Sequence, residues 1–206
     1  MDRKEEIILV TLELAAKNGL SSVSMSQIAS KIGIKKPSLY NHFKSKEEII
    51  TAMYQYLRDK SKENMSLTDI DYGEFIKGKT LEEILTQSVS NYIRMNEDEK
   101  MTSFYKVIYS ERAINTIAAK IMADETKRMI LTTKNLFYAL QVHKKAYFDD
   151  VDMAATSFAM TIHAMMDYKL DCSLSGEQLG QNMIQDYIKW FCEQYGGVDD
   201  EKKNID

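Results

Sequence analysis

The sequence has few residues that interrupt helices or crosslink a chain. Its 206 residues include one proline, eight glycines and two cysteines, Cys172 and Cys192. So few prolines and glycines predict long helices, and two cysteines are typical of small buried side chains in a reducing compartment. No stretch approaches the roughly 18 unbroken apolar residues of a membrane span, and residues 1–6 lack the apolar core of a signal peptide. We therefore expect an all-α, cytoplasmic protein with no membrane partner.

Common catalytic and metal-binding motifs are also missing. The sequence contains no P-loop, no Gly-x-Ser-x-Gly, no Cys-x-x-Cys and no His-Glu-x-x-His. His163, Asp167 and Asp171 are spaced four residues apart, so they share one helix face, but a fourth metal ligand is missing. The polar wall of a ligand pocket, or a buried hydrogen-bond network, explains them more simply. We expect no enzymatic activity, no cofactor and no bound metal.

Positive charge is concentrated at the N-terminal end. Residues 1–46 contain eight lysines or arginines and four acids, a net charge of +4. The whole chain carries −4, so residues 47–206 carry −8. No acid occurs between Gly19 and Lys46. A basic segment on an acidic body indicates a polyanion partner for that segment alone, although an ordinary solvated helical hairpin could share this composition.

Within this basic segment, residues 24–46 have the pattern of two short helices joined by a tight turn. Ser24 and Gln27 form a capping-box pattern at the start of the first helix. Gly33 can take the positive φ that a helix C-terminus often needs. A first-turn proline, Pro37, starts the second helix near Lys36.

The second short helix has one apolar and one polar side. Leu39 and Phe43 are four residues apart, so they share a face that packs on the first helix. The polar side presents Ser38, Tyr40, Asn41 and His42. A polar surface on a short helix, held by a small apolar core, is what reading the major groove of DNA requires.

These residues, in this order and spacing, resemble the N-terminal domain of the TetR/AcrR transcriptional regulators from Leu12 to Ile49. The matching positions are Ala15, Ala16, Gly19, Val23, Ser24, Met25, Ile28, Ala29, Gly33, Ile34, Leu39, Tyr40, His42, Phe43 and the run from Lys44 to Ile49. One position departs from the family pattern, because Lys35 stands where a serine or threonine usually caps the second helix. A lysine side chain cannot accept that hydrogen bond, and it adds a cation where phosphate would approach.

The resemblance implies that the chain is divided into two functional domains. It implies a three-helix helix-turn-helix DNA-binding domain at 1–46 and a helical effector-binding and dimerisation domain at 47–206, connected by a helix at 45–63. The DNA-binding candidates are Ser24, Ser26, Lys35, Lys36, Ser38, Tyr40, Asn41, His42 and Lys46. The resemblance assigns Tyr40 and Lys46 to phosphate. The implied function is a regulator of double-stranded operator DNA, most often a repressor, released by a small-molecule effector.

The remainder of the chain has a helical period almost throughout. Residues 66–80, with two glycines and no clear period, are interpreted as a linker, and everything after residues 196–197 as a polar tail. Further helices are expected at about 81–93, 101–113, 114–143 (one or two), 151–170 and 177–195. The alternative class is a helical enzyme or ligand carrier with a vestigial N-terminal head, which the acid-free basic segment disfavours.

The last two helices are apolar over a wide arc, which requires burial on two sides. In the family, the corresponding helices pair with their copies across a two-fold axis; an internal core helix of a monomer is the alternative. A two-fold operator favours the homodimer. The candidate interface residues are Phe158, Ile162, Met165, Met183, Tyr187, Trp190 and Phe191.

Methionine and aromatic residues are frequent in the body, and ten of the 13 methionines lie after residue 64. Such side chains make adaptable apolar walls, although most of them individually are expected to fill core. The candidate effector-binding residues are Phe104, Tyr105, Met122, Met129, Phe137, Met160 and, as a polar handle, His163. The acidic balance of the body favours a neutral or cationic effector.

Overall fold

A computed structural model describes residues 2–64, 70–96, 99–177 and 182–196. The regular structure of these residues is helical, which confirms the all-α prediction. The helices are α1 Arg3–Asn18, α2 Met25–Ile32, α3 Lys36–Tyr40, α4 Lys46–Asn64, α5 Tyr72–Ile76, α6 Leu81–Asn96, α7 Glu99–Glu111, α8 Thr116–Val142, α9 Val151–Ser175 and α10 Met183–Tyr195, with a 3-10 turn at Leu20–Ser22.

The chain packs into two compact units. The first unit comprises Met1–Thr68 and Ile93–Glu125, and the second comprises Asp69–Tyr92 and Thr126–Asp206. The helix-turn-helix segment therefore shares its unit with α4 and α7. This division describes packing, and the functional boundary at residue 46 stays a prediction.

The core of the first unit is organised around α1, which contacts α2, α4 and α7. Its buried side chains Ile7, Ile8, Leu12 and Ala15 follow the helical repeat. Leu14 is half-buried and packs against the edge of this core. The chain leaves α1 through Gly19, whose φ of 81° suits glycine.

The second unit is held by an aromatic cluster of Phe137, Phe148, Phe158 and Phe191. Phe137 stacks on Phe148 with ring centroids 4.8 Å apart, and Phe158 meets Phe191 edge to face at 4.8 Å. Offset and edge-to-face ring pairs of this kind add about 0.5–1.5 kcal/mol each beyond their area burial. The cluster therefore ties α8, α9, α10 and the loop after α8 together.

Several boundaries differ from those expected from the sequence. α5 lies inside the stretch interpreted as a linker, where the Asp71 side chain caps it by accepting a hydrogen bond from the Glu74 N–H. The stretch expected to hold one or two helices forms a single helix, α8, and α10 begins at Met183 rather than near residue 177. Residues 66–69 of the linker and the polar tail after residue 197 lie outside the residues described.

Candidate nucleic-acid interface

The first helix of the motif, α2, begins with the capping box expected from the sequence. The Ser24 hydroxyl accepts a hydrogen bond from the Gln27 N–H at 3.3 Å, and the Gln27 side-chain oxygen accepts one from the Ser24 N–H at 2.8 Å. Two backbone donors at the helix start are thereby satisfied. Ile28 and Ala29 anchor the other side of α2 in the core.

The turn between α2 and α3 depends on Gly33. Its φ of 77° and ψ of 27° lie in the left-handed region, as predicted, and residues with a Cβ are strained there. The Ile34 N–H then donates to the Ala29 carbonyl at 3.0 Å, which closes the end of α2. This geometry sends the chain directly into α3.

The second helix of the motif, α3, is short and anchored by two side chains. Leu39 and Phe43 are both buried on the core, as predicted, with Phe43 lying just beyond the end of the helix. Pro37 occupies the first turn. Lys35 stands at the N-cap position without a side-chain cap hydrogen bond, which confirms that this departure from the family pattern removes the cap.

The outward side of α3, hereafter the reading face, consists of Lys35, Lys36, Ser38, Tyr40 and Asn41. All five are exposed, and the large Tyr40 ring is 43% exposed. Ser24 and Ser26 are exposed at the start of α2, whereas His42 is half-buried. The nine predicted DNA-binding residues thus include seven that are freely accessible. Their role in DNA binding stays a prediction.

Lys46, at the start of α4, makes a contact that the sequence did not indicate. Its ammonium Nζ donates to the backbone carbonyl of Ser21 at 3.0 Å, and the side chain is half-buried. The bond joins the start of α4 to the turn that precedes α2. Lys46 therefore has a positioning role within the head in addition to the phosphate contact predicted for it.

Ser45 and Glu48 form only one half of a capping box at the start of α4. The Ser45 hydroxyl accepts from the Glu48 N–H at 3.2 Å, but the Glu48 carboxylate accepts from the Lys44 N–H at 2.6 Å rather than from Ser45. The adjacent Glu47 accepts hydrogen bonds from its own backbone N–H and from Ser45, which lower the pKa of its carboxyl. The start of α4 therefore carries stable negative charge beside Lys46.

Two other lysines of the N-terminal helices, Lys31 and Lys4, make contacts within the chain. Lys31 pairs with Glu13 at 2.9 Å across α2 and α1. Lys4 of α1 lies 5.8 Å from the centroid of the Phe43 ring, which brings a further cation to the end of α3. Positive charge near α3 thus comes from Lys4 of α1 as well as from the lysines of the reading face.

Comparison with known proteins now bears on this geometry. Residues 7–53 match the family described as bacterial regulatory proteins, tetR family, and these residues hold the whole of α1 to α3 except the first turn of α1. Over these residues the chain is similar to the TetR family. The TetR match ends within α4, so it covers the reading face and its core but not the body.

Similar proteins extend the likeness beyond the head. The HTH-type transcriptional regulator YerO of Bacillus subtilis, itself uncharacterised, is 30% identical over 113 residues, or 55% of this chain. The chain spans only 37% of the length of that relative. A TetR-family regulator structure from Mesorhizobium loti has a TM-score of 0.67 at 17% identity and covers 95% of this chain and 100% of its own. The structure of SmeT with triclosan has a TM-score of 0.59 at 16% identity, covering 95% and 92%. At these identities the two structures show the TetR fold alone.

The candidate effector-binding residues fall into two groups. Phe104, Tyr105 and Met122 pack together in the core of the first unit. The members in the second unit are Met129, Phe137, Met160 and His163. Of these, Phe137 packs against the rings of Phe148, Phe158 and Phe191. All seven assignments to an effector site stay predictions.

The candidate interface residues also need correction. Phe158, Ile162 and Phe191 are buried within a single chain, and Phe191 is only 2% exposed. A partner cannot cover a side chain that its own chain already buries, so these three belong to the core of the second unit. Met165, Met183 and Tyr187 are half-buried, and Trp190 is 50% exposed. Sequence period alone missed the exposed side of α9, which bears Met153, Met160, Ala164 and Tyr168.

Two remaining features are the residues His163, Asp167 and Asp171, considered as metal ligands, and the length of the apolar helices. His163 Nε2 lies 3.9 Å from an Asp167 carboxylate oxygen, and Asp171 is exposed. Among the residues described, no three His, Cys, Asp or Glu side chains are grouped to hold a metal ion. In the same residues, no helix has both the length and the apolar character to cross a membrane.

Proposed function

We propose that the chain is a sequence-specific DNA-binding repressor that acts as a homodimer and releases its operator when it binds a small-molecule effector. The observation that carries the proposal is the reading face, a polar and basic surface on a short helix whose other side is locked into a closed core. The similarity of residues 7–53 to the TetR family supports the same function. Repression, dimerisation and effector release are the finer parts that need experiment.

The reading face suggests how contacts divide between phosphate and bases. Tyr40, Lys36 and Lys46 are proposed to contact phosphate, which gives affinity without sequence information. Lys35, Ser38 and Asn41 are proposed to reach base edges in the major groove. Two such helices in a dimer must lie about one DNA turn apart, roughly 34–36 Å.

Dimerisation is supported by the exposed apolar side of α9 and α10. Met153, Met160, Ala164 and Tyr168 recur at intervals of seven and four residues along α9, so they form one stripe. Trp190 adds a large exposed ring on α10. A second copy of the chain, related by a two-fold axis, would cover the same surface on both subunits.

Binding to DNA is tested with the segment upstream of the chain's own gene. A gel-shift titration should show tight binding to this segment and weaker binding to a scrambled duplex. Asn41→Ala should cost about 1–3 kcal/mol of discrimination between the two. Gln87→Ala, an exposed amide outside the head, is the matched control and should bind as the parent does. Equal binding of both duplexes by the parent protein would overturn sequence-specific recognition.

Repression and release are tested separately. Deletion of the gene should raise transcription from its operator, and a fall would indicate an activator. For release, triclosan, the ligand in the SmeT complex, is a first probe because it is largely apolar. If it binds, it should weaken operator binding, and operator DNA should weaken triclosan binding by the same factor, since coupling is reciprocal. Tight triclosan binding with unchanged operator affinity would support an effector pocket but contradict effector-controlled release of the operator.

A further inference from the structure

The first unit contains a buried hydroxyl that has no hydrogen-bond partner among the residues described. Tyr54 of α4 is 1% exposed, and in the part of the chain that the structure describes its Oη has no donor or acceptor. One helical turn later, the Nε of Arg58 is also buried and has no hydrogen-bond partner among the described residues. Residues four apart lie on the same helix face, so both side chains leave α4 on the same side. Buried polar groups are normally satisfied, and each exception needs a cause.

The chemistry of these two groups is the same. Arginine Nε can only donate a hydrogen bond. Burial, with a smaller contribution from the Glu111 carboxylate, raises the pKa of Tyr54 to about 12, so its hydroxyl stays protonated and is available as a donor. Two donors on one helix face are complemented by an acceptor. Arg58 carries a positive charge and Glu111, which acts on Tyr54, carries a negative one, so charge alone favours neither an anion nor a cation.

The surroundings of Tyr54 are apolar. Tyr54 belongs to the buried core that also contains Met53, Met101, Phe104 and Met122. Methionine and phenylalanine side chains adapt to the shape of an apolar molecule. Three of the candidate effector-binding residues, Phe104, Tyr105 and Met122, are therefore in the same cluster as the orphaned hydroxyl.

We propose that the first unit binds a neutral, largely apolar molecule through a carbonyl-type oxygen, which accepts hydrogen bonds from Tyr54 and Arg58. This inference rests on the proposed effector function and names the chemical class of the effector. In this site, the polar contact to the effector comes from Tyr54 rather than from His163. The ligand completes two hydrogen bonds that the described residues leave unmade, so its binding stabilises the unit that holds the reading face.

The first test needs no ligand and compares two tyrosines of α4. The Tyr56 hydroxyl donates to the Glu5 carboxylate at 2.9 Å, whereas that of Tyr54 has no partner among the described residues. Tyr56→Phe should lower the melting temperature, because it removes a hydrogen bond. Tyr54→Phe should leave it unchanged or raise it, because it removes an unsatisfied buried group. A fall for Tyr54→Phe as large as that for Tyr56→Phe would overturn the proposal.

The second test uses acetophenone and ethylbenzene, which share size and ring but differ in the carbonyl oxygen. Isothermal titration calorimetry should show that acetophenone binds the parent protein more tightly. Tyr54→Phe and Arg58→Met should each weaken acetophenone about tenfold and leave ethylbenzene unchanged, while Tyr56→Phe changes neither. Equal affinity for both probes, or binding of neither at millimolar concentration, would mean that the donors serve ordered water only and would overturn the proposal.

A third measurement separates this site from the proposed function. Operator affinity is titrated with and without saturating acetophenone. Tyr54-dependent binding with no change in operator affinity supports the ligand site and contradicts effector-controlled release. Operator binding by a protein that fails both probe tests supports the DNA-binding function and contradicts the site.

Discussion

The Lys46 ammonium donates a hydrogen bond to the Ser21 carbonyl at 3.0 Å, which joins the first turn of α4 to the turn before α2. Lys46 also lies at a helix start, where backbone N–H groups favour an anion. One side chain thus combines a structural contact with a position suited to phosphate. The two roles make different predictions for the same substitution.

Lys46→Ala is expected to weaken binding to all DNA sequences alike. Loss of one phosphate contact should reduce the slope of log affinity against log salt by about one unit. Lys77→Ala removes an exposed lysine of the second unit and should leave the slope unchanged. Affinities measured by fluorescence anisotropy over a salt series decide the matter. A lower melting temperature with the full slope retained would assign Lys46 to structure alone.

Ser24→Ala should destabilise the head through the capping box. Both hydrogen bonds between Ser24 and Gln27 are lost or weakened, which costs about 1 kcal/mol in the free energy of unfolding. Ser26→Ala, two residues on and exposed, should stay within about 0.5 kcal/mol of the parent. Urea unfolding followed by circular dichroism measures both. Equal effects of the two substitutions would contradict a specific cap.

Trp190→Glu should dissociate the proposed dimer. The ring is 50% exposed on one chain, so a charge there leaves the subunit folded but is costly to bury against a partner. Sedimentation should show monomer, and operator affinity should fall with it. Lys189→Glu changes the neighbouring exposed residue and should preserve the dimer. A folded Trp190→Glu dimer would place the interface elsewhere.

Phe191 provides the contrast within the same helix. It contacts the rings of Phe137, Phe148 and Phe158 inside one chain. Phe191→Ala should therefore lower the free energy of unfolding by about 3–5 kcal/mol. Unfolding of a monomeric variant background, such as Trp190→Glu, isolates this effect from dissociation. An unchanged unfolding free energy in that background would contradict the core assignment.

Stability at high pH should depend on Tyr54. Its folded-state pKa of about 12 lies above the ordinary value of 10.0, so the fold favours the neutral hydroxyl. This contribution is fully present below pH 10 and is lost as pH rises toward 12, to an extent of roughly 2–3 kcal/mol. Tyr54→Phe should show a shallower loss over that range. The free energy of unfolding is measured by urea unfolding at successive pH values. Parallel curves of this free energy against pH for parent and variant would contradict the raised pKa of Tyr54.

The sequence predicted the head better than the body, for physical reasons. The Ser24 capping box and the left-handed Gly33 depend on interactions within a few residues, and both are confirmed. α5 escaped prediction because five residues are too few to show a period. Phe191 was assigned to the wrong surface because an apolar arc predicts burial without saying what buries it. The rings that surround it come from α8, α9 and the loop between them, which are distant in sequence.

The orphaned groups on α4 mark another limit of the sequence. Tyr54 and Tyr56 are the same residue type on one helix, and nothing local distinguishes the satisfied hydroxyl from the unsatisfied one. Glu5, which accepts from Tyr56, lies 51 residues away in the chain. Only the packing of α1 against α4 decides which tyrosine receives a partner.

The second helix of the motif has five residues and begins without a side-chain cap. A helix this short has little cooperativity of its own, so it keeps its shape only while Leu39 and Phe43 stay in the core. Its amide protons should therefore exchange for deuterium through local opening, well before those of α1. DNA would suppress this opening at a cost in entropy that is the same for operator and non-operator sequences. Cooling reduces that cost. It should therefore strengthen binding to operator and non-operator DNA alike, without increasing the difference in affinity between the two.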